Sequence, residues 1–163
     1  MTADIAPMKK PEKFASPAAR EYVTALIGDQ WCGIPVLKVQ DVLGPQRITR
    51  IPLAPPEVAG SLNLRGRIVT SIDLRARLKL PSGNHAKSMS VVVEHHGELY
   101  SLMVDSVGEV LAVEARAIER NPATLDPIWR GVSDGVHRLD KGIVVLLSVD
   151  SLLEFASRGT AAA

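Results

Sequence analysis

The chain has 163 residues, 46% of them hydrophobic and 23% charged, enough for one domain or two small packed lobes with a shared core. Nineteen basic residues against eighteen acidic ones give a formal charge of +1, whereas a nonspecific nucleic-acid binder shows a clearer basic excess. The lone Cys32 excludes an intramolecular disulfide, the start of the chain lacks the apolar run of a secretory signal, and the longest strongly apolar run, 143–147, is far short of the roughly 20 residues of a membrane span. A soluble cytoplasmic protein without direct membrane insertion is expected.

Residues 1–20 carry Pro, Ala, Lys and Ser without a sustained period and read as a flexible arm. Residues 21–27 form a strand candidate, Gly28-Asp29 a turn, and residues 30–35 a second strand. Val36, Val39, Val42 and Leu43 fit either a short helical turn or an irregular strand. Pro55-Pro56-Glu57 suggests the first turn of a short helix running through Val58, Leu62 and Leu64 to Gly66. Residues 68–74 read as a buried strand and 80–90 as a linker with Pro81, Ser82, Gly83 and Asn84. Val91-Val92-Val93 begins the second half, with a turn at His96-Gly97-Glu98 and a strand over 99–104. Residues 114–136 hold Asn121-Pro122, Asp126-Pro127 and Gly131 and read as irregular. A last long strand spans 142–149, a closing helix 151–156, and a flexible tail 157–163. Many short strands with punctuating Gly and Pro point to small barrels.

The chain also repeats itself. Residues 33–43 align with 101–111 without a gap, pairing Val36 with Val104, Val39 with Val107, Val42 with Val110 and Asp41 with Glu109. A second echo sets residues 68–74 against 145–151. Two lobes with a junction between them are expected, and a junction is a place to grip a partner.

Catalytic chemistry finds no support. There is no phosphate-cradling glycine loop, no paired-cysteine spacing, and no nucleophile-elbow context around Ser133. His95 and His96 are adjacent in a strand, so they point to opposite faces and read as solvent-facing strand-end residues. Cys32, between Trp31 and Gly33, reads as a small core residue. Arg65, Arg67, Arg75, Arg77 and Lys79 form the one notable charge cluster, either a solvated rim or, alternatively, the patch of a small RNA-binding barrel that lacks stacking aromatics. Asn63-Leu64-Arg65-Gly66 places a guanidinium beside a flexible glycine, and the Val- and Ile-rich stretch 33–42 suits a groove for an apolar partner helix.

Residues 33–42, the run Asn63-Leu64-Arg65-Gly66-Arg67-Ile68-Val69, Ile72-Asp73-Leu74-Arg75 and residues 104–111 together closely resemble the CheW-type chemotaxis coupling proteins, over roughly residues 21–155. The resemblance implies a mainly β protein: two SH3-like five-stranded β-barrel lobes with a pseudo-two-fold repeat and a few short helices. A single domain over 21–156 is expected, with one lobe at about 21–80, the other at about 90–150, and terminal strands open to exchange between them. It implies a non-catalytic adaptor, without cofactor or metal, that links chemoreceptor cytoplasmic tips to the regulatory domain of the histidine kinase CheA. A coupling protein of a non-motility chemosensory pathway is a close variant. Receptor or kinase contacts are expected at Val39, Asp41, Gly60, Arg65, Gly66, Val107 and Val110. The chain departs from the common pattern in two places: Asp41 stands where glutamate is frequent, and Thr70-Ser71 replaces a proline-containing pair.

Overall fold

The computed structural model describes residues 19–140 and 142–155, so the tail and all of the expected arm except Ala19 and Arg20 lie outside the described residues. Strand β1 (Ala19–Ile27) returns through a turn at Gly28, whose φ of 63° is in the left-handed region, as β2 (Gln30–Pro35). The ambiguous stretch that follows is both things its spacing allowed: a 3-10 turn at Val36–Lys38, then β3 (Val39–Leu43). Next come β4 (Val58–Leu64), β5 (Arg67–Asp73) and the short helix α1 (Leu74–Arg77). Beyond the linker lie β6 (Met89–His95), β7 (Glu98–Val104) and β8 (Ser106–Glu114). The chain ends with α2 (Pro127–Gly131), β9 (Ser133–Leu139), β10 (Gly142–Leu147) and α3 (Val149–Leu152).

The strands make two five-stranded sheets, ordered β8-β1-β2-β10-β9 and β3-β6-β7-β5-β4. Replacing β1–β5 by β6–β10 converts one order into the other, so the repeat read from the letters is a repeat of topology. Each hairpin, β1–β2 or β6–β7, is completed by the last three strands of the opposite half. Both halves of the sequence therefore contribute to both sheets.

Each sheet closes on itself through a single bridge. Thr49, beyond β3, exchanges two backbone hydrogen bonds of 2.8 Å with Ser61 of β4. Glu119, beyond β8, does the same with Val136 of β9 at 2.8 and 2.9 Å. A glycine precedes each bridge: Gly60 at φ 154° and Gly135 at φ 143°. A Cβ on Gly60 would collide with the Thr49 carbonyl, and one on Gly135 would lie 2.7 Å from the Glu119 carbonyl.

The strand register upholds the first echo. Val23 pairs with Val110 and Ala25 with Val107; in the other sheet Val91 pairs with Val42 and Val93 with Val39. The second echo is displaced by two residues. Ser71 pairs with Ser101 where Leu146 pairs with Gly33, which matches Ile68 to Ile143 rather than to Val145. A shift of two preserves the inside–outside alternation, so apolar letters alone do not reveal it. The helix expected over 55–66 is instead β4 and its hairpin turn, and the region read as irregular, 114–136, holds α2 and the start of β9. Strands β4 and β9 are equivalent members of the repeat. Gly60 and Leu62 are the buried residues of β4, and Gly135 and Val136 those of β9, which leaves little apolar signal to read.

Packing divides into an interior for each barrel and one core shared by both. Tyr22, Val113, Val144 and Leu146 fill the first barrel, and Leu62, Val69, Val92 and Leu99 the second. The shared core draws on both sheets, with Ala25, Cys32, Val145 and Leu147 from one and Ile72, Val91, Val93 and Leu102 from the other, and adds Leu74, Trp129, Val149 and Leu152 from the helices. Strand β10 is apolar throughout 143–147 because Val144 and Leu146 face its barrel while Val145 and Leu147 face the shared core.

One ion pair stitches the lobes at the edge of this core. Asp73 caps α1 by accepting from the Arg75 and Ala76 amides. Arg75 then reaches Asp105 between β7 and β8 with two bonds, Nε to Oδ1 at 3.0 Å and Nη2 to Oδ2 at 2.7 Å. Asp105 also accepts the Gly28 amide at 2.8 Å, and its own amide donates to the Leu26 carbonyl at 2.8 Å. The Arg75 bond, helped by the Gly28 amide and opposed by burial, holds the Asp105 carboxyl below the usual range.

Gly60→Ala should destabilise the protein by about 2–3 kcal/mol in a denaturant titration, since it strains the backbone and blocks the barrel closure. Asp105 has a lowered folded pKa, so its contribution is full above the unfolded value, about pH 4, and is lost as pH falls through the folded value. Asp105→Asn should therefore be less stable than wild type at neutral pH, with the difference shrinking in acid; a constant difference across the titration would contradict the ion-pair account.

Candidate functional site

Strands β3 and β8 are the equivalent edge strands of the two sheets, each lying beside the first strand of a hairpin. Each carries a β-bulge at the same place. The register breaks between Val39 and Asp41 on β3, and on β8 between Val107 and Val110 opposite Val23–Ala25. Val39 and Val107 occupy matching positions and are both half-buried against the shared core. Val110 is half-buried beside Val23, on the side of β8 opposite the barrel-facing Leu111. Val39 and Val107 are held by packing against the shared core while still presenting apolar surface at the border between lobes.

The polar residues gather at the β4–β5 hairpin. Arg65 (φ 51°) and Gly66 (φ 85°) are its central pair, both left-handed, as a two-residue type I′ turn requires. The Gly66 amide donates to Asn63 Oδ1 at 2.9 Å. Arg65 is a costlier choice than glycine at its position, by about 1 kcal/mol. Its side chain reaches across the barrel closure to β3, where Nη2 lies 3.0 Å from Asp41 Oδ2. The other Asp41 oxygen accepts the Val42 amide at 2.9 Å. The Arg65 side chain is 74% exposed, so the pair itself adds little stability, within about 1 kcal/mol. It does fix the direction of both groups.

The structure thus joins Asp41, Arg65 and Gly66 at one end of the second barrel and sets Val39 and Val107 at matching bulges. Gly60 lies apart from them, buried in the barrel closure. Beside Val39, Leu37 is 96% exposed in the 3-10 turn, a residue that apolar periodicity passes over because it belongs to neither strand. Thr24, Trp31 and Gly108, which shape the β8 bulge, were likewise missed. The signal for them is a glycine in the interior of a strand, which marks a bulge.

The remaining chemical candidates resolve into structure. His95 is buried at 4% exposure rather than solvent-facing, because the end of β6 tucks against α3. Its Nδ1 lies 3.2 Å from Asp150 Oδ1, which Lys38 also approaches at 3.7 Å. Burial, reinforced by His96, keeps its pKa low despite Asp150. Cys32 is fully buried, its Sγ 3.3 Å from the Ala25 carbonyl, and burial pushes the thiol's pKa up, as suits a core residue. Among the described residues no group of three or more His, Cys, Asp or Glu is placed to hold a metal, and no helix is long and apolar enough to cross a membrane.

The basic cluster divides: Arg67 and Lys79 are exposed, while the other three make contacts within the protein. Arg65 is bonded to Asp41 and Arg75 to Asp105. Arg77 donates to the Leu152 and Ser151 carbonyls at 2.9 and 3.1 Å and lies over the Phe155 ring.

Comparison with known proteins agrees with this geometry. The CheW-like domain profile matches residues 21–157. The chemotaxis protein CheW of Klebsiella aerogenes is 30% identical over 135 residues, 82% of this chain and 81% of that one. The chemotaxis protein CheW of Rhizobium meliloti is 26% identical over 155 residues, 94% of this chain and all of its own length. The crystal structure of the scaffolding protein TtCheW from Thermoanaerobacter tengcongensis superposes with a TM-score of 0.74 at 28% identity, covering 83% of this chain and 92% of that one. Two barrels built by strand exchange, a shared apolar core and no catalytic constellation among the described residues are joined by a match over most of the chain, and the protein belongs to the CheW family of non-catalytic chemotaxis coupling and scaffolding proteins.

Proposed function

We propose that this chain couples chemoreceptor cytoplasmic tips to the histidine kinase CheA. The receptor's helical hairpin docks at the border between the barrels, against Val39, Val107 and Val110. The observation that carries this reading is the equivalence of Val39 and Val107. Each sits half-buried at a bulge on an edge strand, and both are backed by the one core that joins the lobes. A helix laid there meets apolar contacts from both lobes at once. Arg65, held by Asp41, directs its remaining N–H groups to a carboxylate or carbonyl of the partner. Barrel-end surfaces away from this border meet the kinase regulatory domain, and the protein reaches membrane arrays through its partners.

No chemistry in this chain is required for signalling. A receptor that binds the coupling protein differently in its two states shifts the kinase equilibrium by that difference in binding free energy and by no more. The same arrangement serves a motility or a non-motility chemosensory output.

Val39→Glu should weaken binding to a purified receptor cytoplasmic fragment at least about tenfold, since a charge is pressed into an apolar contact, while the protein stays folded. Normal affinity in that variant would remove the docking assignment, and global unfolding would make Val39 a core residue only. Arg65→Gly separates function from stability. It relieves the left-handed backbone cost, so thermal stability should hold or rise by about 1 kcal/mol, while receptor-dependent CheA autophosphorylation falls. Full kinase coupling by that variant would leave the guanidinium without a part in recognition.

A further inference from the structure

The two bulges are equivalent in the repeat yet are held by different means. On β3 the extra residue is Gln40, and the neighbouring Asp41 is secured by Arg65. On β8 the corresponding residue is Gly108, and Glu109, the counterpart of Asp41, is secured by its backbone instead. The Thr24 hydroxyl donates to the Glu109 carbonyl at 2.6 Å. A Cβ at Gly108 would lie 2.6 Å from that hydroxyl and 3.2 Å from the Trp31 ring, so both side chains close onto the bare glycine. Gln30 Nε2 donates to the carbonyls of Trp31 and Ile143 at 2.8 and 2.9 Å, which ties the strand under the ring to β10. Thr24 corresponds to Val92 in the repeat, so the β3 bulge has no such hydroxyl facing it.

We infer that Thr24 and Trp31 are positioning residues for receptor docking, locking the β8 bulge so that Val107 and Val110 are aimed at the partner. The inference rests on the docking reading above. A bulge re-aims the side chains on either side of it, and moving it by one residue exchanges the faces on which Val110 and Glu109 lie. That slip would replace an apolar contact with a carboxylate at the docking border. Gly108 leaves the strand free to adopt other conformations, and the hydroxyl bond with the overlying ring selects one of them.

The experiment measures binding of a purified receptor cytoplasmic fragment, and separately of the CheA regulatory domain, to the full chain and four variants. Thr24→Val keeps the shape and removes the donor; receptor affinity should fall about five- to tenfold while kinase-domain affinity stays at the wild-type level. Thr24→Ser restores the donor and should bind the receptor fragment like wild type. Trp31→Leu, which removes the ring over Gly108, should weaken receptor binding in the same selective way, and it decides the matter if Thr24→Val does not fold. Val107→Glu tests the docking reading itself, and unimpaired binding there would overturn that reading and this inference with it. If Val107→Glu loses binding while Thr24→Val and Trp31→Leu bind like wild type, docking stands and the positioning role is overturned. Equal loss toward both partners, or failure of Thr24→Ser to rescue, would also overturn it.

Discussion

Each barrel takes a hairpin from one half of the chain and three strands from the other, and the shared core, the placement of the edge strands and the geometry between the lobes all depend on that exchange. A half-chain would expose unpaired strand edges and the apolar face of its hairpin, so neither half has a complete sheet to fold into. The core therefore condenses between the barrels as well as inside them, and residues such as Val145 and Leu102 are buried against the opposite lobe's elements. The Arg75–Asp105 pair acts on the same seam, fastening α1, directly after β5, to the β7–β8 corner and the first hairpin turn. Two lobes tied in this way share one core and one ion-paired seam.

The two edge strands that carry Val39 and Val107 are restrained as well. Edge strands at a bulge are the most adjustable part of a sheet. Here each bulge has its own restraint: an ion pair from a neighbouring hairpin at Asp41, and a threonine hydroxyl with an overlying tryptophan at Gly108 and Glu109. One restraint uses exposed charge and weakens with salt; the other uses a backbone hydrogen bond and an aromatic ring and depends little on ionic strength. The repeat has thus kept its backbone geometry while the side chains that secure it have diverged.

Much of the fold was legible in the letters. The hairpins were marked by Gly28-Asp29 and His96-Gly97, and the gapless match of residues 33–43 with 101–111 carried the correct register of β3 and β8. Of the strands that escaped notice, β4 and β9 have burial confined to a glycine and one aliphatic residue at alternate or adjacent positions, and β8 buries only Val113, too little for a period to emerge. The second echo lost its register for a related reason, since a shift by two leaves every apolar residue on its own face. Within the candidate site, the equivalence of Val39 and Val107 was readable from the repeat, whereas the Asp41–Arg65 pair and the work of Gly60 in barrel closure depend on contacts across the sheet that the letters do not show.

The sequence by itself determined the class of the protein: a β-rich repeat with no catalytic constellation, whose local preferences for turns and strands are strong and whose apolar pattern has a short range. Tertiary structure alone decided which half completes which sheet, which arginines face inward onto partners, and that His95 is buried rather than exposed. Those outcomes depend on contacts between residues far apart in the chain, such as His95 with Asp150 and Arg75 with Asp105. A one-dimensional pattern records which faces are apolar. It does not record which distant face will cover them.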